Sequence, residues 1–478
     1  MKQYICTLME DHSDYLPFED GNINHLIKKF EEMQALGAEY YFDVEEFEEL
    51  IDYYLVESNQ ELVQLLIKLA KGQHPESPAL QLKEAESLVY SEQATEAIRI
   101  IEKVSLFEDS NPEHYFSKAS IYSMADQKEK AIEILNKLVS ISENEDKIEA
   151  KLALAKEFQE IGDFQASVSE YLDILRISPD NEDALMEISL SCELSGQYQN
   201  GVDIINKFID DNPYSHFAWF SLGNMYMTMD NYSEAVRAYE YATLINNKFS
   251  EAFFNLGNAF MKIEQFENAI DSYKSSILPN YVDPITYNFI GHCYIVLEKN
   301  EEAITYFQKA VDHSPEYSDG WLGFAVAYSN MDQAQEGLLY IEKAIKLNPN
   351  NMYYQYFHAD LLVNLGEYEN AEVIYQKVFN SEIENTGIFL DYSEALMANG
   401  KTNESLKVLV DGITKYPDEA NLYYKYAAML VHIGNITDAE SILFLALEID
   451  SKKSNQFLEY CPEAVNHIGI MDLIENYK

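Results

Sequence analysis

Cations are scarce in this chain. Lysine and arginine number 33 against 82 aspartates and glutamates, a formal charge of −49. A nucleic-acid groove needs a cation for each phosphate it neutralises, so this balance argues against a direct nucleic-acid ligand. It favours a protein or peptide partner, a basic one in particular, and it also keeps a large surface soluble. Long apolar runs are missing too, so membrane insertion is not expected. The opening MKQYICTLMEDHSDYLPFED has no apolar signal-peptide core, which makes the cytoplasm the expected location. Four cysteines, at 6, 192, 293 and 461, lie far apart without a CxxC pair; reduced, packed thiols are the default.

Catalytic signatures are equally absent. The chain has no HExxH, GxxxxGK[ST] or GxSxG and no zinc-like spacing. His292 beside Cys293 is the nearest approach to a nucleophile pair, but adjacent residues on a helix point apart. No catalytic residue, metal or cofactor is expected, and the chain reads as a non-enzyme.

What is present is a period. Residues are 47% apolar and 24% charged, a composition that folds, and 478 residues exceed one ordinary core. NLGNAF at 255 returns as SLGNMY at 221 and FIGHCY at 289, an offset of 34 each time. Twelve frames of 34 begin at 44, 78, 112, 148, 182, 216, 250, 284, 318, 352, 386 and 420, with one slip at Asp146 and Lys147. Position 8 is small in the last eleven frames, as in Ala119, Gly223, Gly257 and Gly291, and position 20 is small in the same frames, as in Gly201, Ala269 and Ser405. Two helices cross closely only over small residues. Position 24 is always apolar (Tyr239, Tyr273, Phe307, Tyr375), and position 32 is Pro in half the frames, where it stops a helix.

A 34-residue helix–turn–helix unit with these positions resembles the tetratricopeptide repeat family, best in WFSLGNMY…YSEAVRAYEYA and YNFIGHCY…EEAITYFQKAVDHSP. The resemblance covers residues 44–453. It implies an all-α solenoid, a right-handed superhelix of antiparallel helix pairs. The first frame departs from the pattern, with Ile51 and Val63 at the small positions. Residues 1–43 form an N-terminal segment with a capping helix over 23–37, and 454–478 a C-terminal capping helix over 462–477, because the ends of a solenoid need a polar outer face. The apolar side of the second cap, Val465, Ile468, Ile470, Leu473 and Ile474, could also dock on a second subunit, although covering the last repeat is the simpler role.

In such arrays the first helix of each pair lines the concave surface, and the resemblance places positions 2, 5, 9 and 12 in the groove. Frame 44 contributes Glu45, Glu48 and Asp52, joined by Glu49 in an acidic patch; residues 30–67 hold eleven carboxylates and no lysine or arginine. The central frames contribute Phe217, Phe220, Asn224 and Met227, then Phe254, Asn258 and Met261, then Asn288, His292 and Ile295, then Leu322, with Asn255 at the groove edge. Packing is not expected to need these residues; exposed aromatics with methionine mark interaction surfaces, and asparagine can read a peptide backbone. A third zone offers Tyr353, Tyr356, Asp360 and Tyr424. The clamp with which some family members hold a C-terminal carboxylate needs cations where this chain has Phe220, Ile285 and Phe289, so a chaperone tail is not the expected ligand. The pattern is closer to Asn-lined grooves that hold extended peptides. The expected function is a scaffold binding an extended peptide or partner helix; the alternative is an acidic holdase or assembly factor for a basic client.

Overall fold

The chain stops and reverses at regular intervals because each repeat carries its own helix terminator. Position 15 of the frames adopts the left-handed conformation at Ser58, Asp126, Gly162, Gly196, Asp230, Glu264, Glu298, Asp332, Gly366, Gly400 and Gly434. The amide of that residue and the amide after it fold back on the helix just ended: Glu264 N–H donates to the Met261 carbonyl at 3.1 Å and Gln265 N–H to the Phe260 carbonyl at 2.9 Å. The same pair recurs at Gly400 and Lys401, which reach Met397 and Leu396 at 3.0 and 2.8 Å. This is the Schellman closure, which satisfies carbonyls that a helix end would leave bare. The residue after it starts the second helix of the pair. The turn into the next repeat is held by side-chain caps, such as Asn181 on Ala184 N–H at 2.9 Å and Ser215 on Ala218 N–H at 3.3 Å.

The computed structural model describes residues 21–90, 93–104, 112–277, 283–381 and 385–477. Among these residues the elements are helices alone. They fall into two compact units, Met1–Asn231 and Tyr232–Lys478. The first unit contains α1 (Gly21–Leu36), α2 (Val44–Val56), α3 (Gln60–Gln73), α4 (Pro78–Tyr90), α5 (Ala94–Ile101), α6 (Pro112–Met124), α7 (Lys128–Ile141), α8 (Asn144–Glu160), α9 (Phe164–Ile177), α10 (Glu182–Leu194), α11 (Tyr198–Asp211) and α12 (His216–Thr228). The second contains α13 (Tyr232–Ile245), α14 (Ser250–Lys262), α15 (Phe266–Ser276), α16 (Pro284–Val296), α17 (Asn300–His313), α18 (Ser318–Asn330), α19 (Ala334–Leu347), α20 (Met352–Asn364), α21 (Tyr368–Phe379), α22 (Gly387–Ala398), α23 (Thr402–Lys415), α24 (Ala420–His432), α25 (Ile436–Asp450), α26 (Ser454–Tyr460) and α27 (Ile468–Asn476). Within each unit a helix packs on its neighbours in sequence, and first helices of successive pairs also meet, as α2 meets α4 and α16 meets α18. Each unit is therefore a stack of the α-solenoid class.

The small positions are where helices touch. A Cβ on Gly257 would fall 2.6 Å from the Tyr273 ring, and one on Gly291 would fall 2.4 Å from Phe307. Gly323 meets Phe307 from the next repeat at 2.4 Å. Where serine stands in for glycine it contributes a hydrogen bond: Ser405 Oγ donates to the Ser393 carbonyl at 2.6 Å, fully buried. In the first pair Ile51 and Val63 are wholly buried in a core shared with Leu26, Phe30 and Met33 of α1.

The C-terminal segment is not one helix. A 3-10 turn over Pro462–Asn466 separates α26 from α27. Phe457, Cys461, Ala464, Ile470 and Ile474 pack onto α24 and α25, while Val465 and Ile468 are 55% and 79% exposed. The apolar side expected of one continuous helix is thus split between core and surface. At the other end, Cys6 and the remainder of residues 1–20 lie outside the described residues.

Candidate partner-binding surfaces

The first-helix residues of the second unit do more packing than their register suggests. Phe254 lies in a cluster of rings with Tyr273 at 5.5 Å and Phe289 at 5.8 Å. The Tyr273 hydroxyl donates to Asn258 Oδ1 at 2.7 Å, which leaves the Asn258 amide hydrogens for other acceptors. Asn255 is hydrogen-bonded to the Tyr239 hydroxyl. Asn288 is buried; its Nδ2 donates to the Tyr317 hydroxyl at 3.3 Å and its Oδ1 has no partner. Leu322 is buried in the core around Ile341 and Leu361. The expectation that packing does not need these positions therefore fails for Asn288 and Leu322, and in the first unit for Phe220, which is also buried. Narrow spacing between successive first helices is the cause: a large side chain on one reaches the next before it reaches solvent. Phe254, Asn258, Met261, His292 and Ile295 remain half-buried, and Ile285 beside them is 39% exposed.

His292 and Cys293 are oriented apart. The His292 ring meets Phe307 edge-on at 5.4 Å, and burial lowers its pKa. Cys293 Sγ lies 3.1 Å from Met261 Sδ, and burial pushes its pKa up to about 12. A thiol so protonated is a poor nucleophile. Among the described residues no group of three or more His, Cys, Asp and Glu side chains is arranged to hold a metal, and no helix is long and apolar enough to cross a membrane.

In the first unit, α12 carries Phe217, Asn224 and Met227, all half-buried. Asn224 lines a shallow recess of about 30 Å³ with Ser189, Glu193, Tyr198, Met225 and Thr228, enough for ordered water. The acidic zone is less bare than residues 30–67 imply, because flanking helices bring cations to it. Lys29 of α1 pairs with Glu46 at 2.8 Å, and Lys83 of α4 pairs with Asp52 at 2.6 Å and Glu86 at 3.4 Å. Burial raises the pKa of Glu48 and of Asp52 in spite of Lys83. Glu45 is exposed, and Glu49 is half-buried.

The third zone holds residues that position alone did not bring together. Tyr424 is fully buried, its hydroxyl donating to the Asp450 carbonyl at 2.8 Å. Tyr356 instead donates to Asp391 of α22, and its ring lies 6.0 Å from Tyr375 of α21. Burial, followed by Asp391 and Glu394, raises the pKa of Asp360; burial likewise raises that of Asp391. Lys425 of α24 pairs with Glu394 at 2.6 Å and lies 4.5 Å from the Tyr460 ring. Asp391, Glu394, Lys425 and Tyr460 are not marked as site residues by the sequence, and Tyr375 is marked only as a packing position, since no local spacing links residues on α21, α22, α24 and α26.

Comparison with known proteins follows the period. The tetratricopeptide repeat model matches residues 113–145, 218–249, 250–278, 285–317, 318–351 and 353–382. No curated protein matches the chain. Among solved structures the chain is similar to a tetratricopeptide repeat protein from Parabacteroides merdae, at 15% identity over 63% of this chain and 98% of that one, with a TM-score of 0.41. It is also similar to PilF of Pseudomonas aeruginosa, at 20% identity over 42% of this chain and 92% of that one, TM-score 0.37. A third is the Cut9–Hcn1 hetero-tetramer of the APC/C, at 14% identity over 90% of this chain and 89% of that one, TM-score 0.36.

Proposed function

The chain belongs to the tetratricopeptide repeat family, whose members are protein-interaction scaffolds, and on that premise we propose that it holds an extended peptide or partner helix along the first helices of its second unit. The observation that carries this reading is the set of apolar and amide groups left over after packing on α14 and α16. Met261, Ile295 and Ile285 keep apolar surface open, and Asn258 keeps its amide hydrogens after Tyr273 has taken its oxygen. Phe254, Asn255, Asn288, His292 and Leu322 form the support beneath, and Phe217, Phe220, Asn224 and Met227 of α12 are the corresponding set of the first unit. An apolar strip with fixed amide donors suits a backbone read with little sequence preference.

The test keeps the packing roles intact. Asn258→Asp retains an acceptor for Tyr273 but removes the amide donors, and Met261→Lys with Ile285→Lys places charge on the strip. Affinity capture from native lysate with the triple variant should lose the partners that wild type retains, with the helical circular dichroism unchanged. Capture of the same partners by a folded triple variant refutes the assignment.

A second reading, an acidic holdase for a basic client, rests on the charge of −49 and on the exposed Glu45 beside Glu48, Glu49 and Asp52. It predicts capture that falls steeply with salt, whereas capture through the apolar strip holds.

A further inference from the structure

We infer that the second unit contains a pocket for a basic side chain, a lysine or arginine of a partner segment, between α20 and α22, with the carboxylates of Asp360 and Asp391 as its floor. The inference deepens the scaffold reading by naming the chemistry of the partner, and rests on it only in taking the partner to be a protein segment.

Three independent features meet there. The first is a surplus of negative charge. Asp360, Asp391 and Glu394 lie close enough for each aspartate to feel the Glu394 charge, and the one cation paired within the group, Lys425, is bound to Glu394 and acts on Asp391 only through space. Asp391 accepts one hydrogen bond, from the Tyr356 hydroxyl, and the Asp360 carboxylate makes no hydrogen bond or ion pair with the described residues. Desolvated carboxylates with so little compensation cost stability, and such an arrangement persists where a cation arrives from outside.

The second feature is a buried donor and acceptor with nothing to bond. Tyr375 is wholly buried and its hydroxyl has no partner. Its ring lies 6.0 Å from Tyr356 and 5.8 Å from Tyr392, and its hydroxyl feels Asp360, Asp391 and Glu394. The equivalent hydroxyl in the α14–α15 pair, Tyr273, is satisfied by Asn258, the residue in register with Asp360. In the α20–α21 pair that internal bond is not made, so the hydroxyl and the carboxylate are both left to an incoming group.

The third feature is the rim. Tyr353 is 53% exposed and 6.5 Å from Tyr356, and Glu394 is 61% exposed. Aromatic faces above carboxylates accept the methylene stem and the charge of a lysine or arginine together. Lys425, held between Glu394 and the Tyr460 ring, shows the same pairing made within the chain. A bare metal ion would gain nothing from the rings.

The test uses the full chain and a fluorescein-labelled peptide of alternating lysine and alanine, read by fluorescence anisotropy at about 150 mM salt, where long-range attraction to the acidic surface is screened. Asp360→Asn with Asp391→Asn should weaken binding by about 10-fold or more, since each charge-assisted contact is lost. Glu301→Gln with Glu336→Gln, which removes the same charge from exposed positions elsewhere in the unit, should weaken it by less than about 2-fold. Tyr375→Phe should weaken binding by about 3-fold without lowering the melting temperature, because it deletes a hydroxyl that holds nothing within the fold. A peptide of acetyl-lysines should not bind, and an arginine version should bind through the same residues. Equal weakening by both charge-matched doubles, no effect of the Asp360 and Asp391 double, or Tyr375→Phe raising stability with unchanged affinity overturns the pocket. Displacement of the peptide by millimolar Ca²⁺ or Mg²⁺ in wild type but not in the pocket double would identify a metal site instead. Loss of this peptide binding is independent of capture through Asn258, Met261 and Ile285, so the two readings fail separately.

Discussion

Gly291 and Gly323 approach the same ring, Phe307 of α17, from the first helices of two successive pairs, α16 and α18. Alanine at Gly291 gains about 1 kcal/mol of helix propensity but drives a methyl into a ring that has no room to move, an overpacking cost of about 1–3 kcal/mol. Gly291→Ala should therefore lower the urea midpoint, the net loss being about 1 kcal/mol, with the denaturant slope unchanged. The left-handed turns give a cleaner case. Glu298 adopts φ of 58° where Gly400 has 77° in the corresponding turn. A side chain in that conformation costs on the order of 1 kcal/mol, so Glu298→Gly should stabilise and Gly400→Ala should destabilise, each by about that amount in the same assay. The crossing positions were legible in the sequence because Gly257, Gly291 and Ser405 recur at a fixed period. The turn position was not, since serine, aspartate, glutamate and glycine alternate there, and what they share is a dihedral angle rather than a chemistry.

At the scale of helices, register is legible and reach is not. The period places Asn258, Asn288 and Leu322 on one side of α14, α16 and α18, but how far a side chain extends before it meets the next helix depends on how closely the pairs stack. Neighbouring pairs bury Asn288 against Tyr317 and Leu322 among Ile341 and Leu361, and leave Met261 and Ile295 half-open. The acidic window is less bare than its sequence for the same reason: Lys29 and Lys83 belong to helices outside it and reach back to Glu46 and Asp52. Helix packing also governs thiol chemistry. Cys192 on α10, Cys293 on α16 and Cys461 at the end of α26 are all buried, with Cys293 pushed up to about 12 and Cys461 to about 11. These three should resist iodoacetamide at about pH 8 in the folded protein and react within minutes in urea, as counted by mass spectrometry of the peptides. Rapid modification of Cys293 in the native state would contradict the packing of α14 against α16.

For the molecule as a whole, burial raises the pKa of Glu48, Asp52, Glu86, Glu157, Asp360 and Asp391. A carboxyl whose folded value exceeds its unfolded one adds stability that is complete below the unfolded value and is lost as pH rises through the folded value. The unfolded values are 3.8 for Asp and 4.5 for Glu, so the window opens there and extends upward. Thermal melts followed by circular dichroism should show the melting temperature falling by about 3 °C or more between about pH 5 and about pH 7.5. Asp360→Asn with Asp391→Asn should flatten part of that slope and raise stability near neutrality. The net charge of −49 works in the same direction, since protonation relieves self-repulsion. A further consequence belongs to the stacking itself. Helices within each unit find their partners in their own pair or an adjacent one. Contact order is low, loop-closure entropy stays small because it grows only with the logarithm of the segment closed, and no step waits for distant parts of the chain to meet. Within each unit a pair can fold onto the one before it as it leaves the ribosome, so the order of synthesis can serve as the order of assembly there.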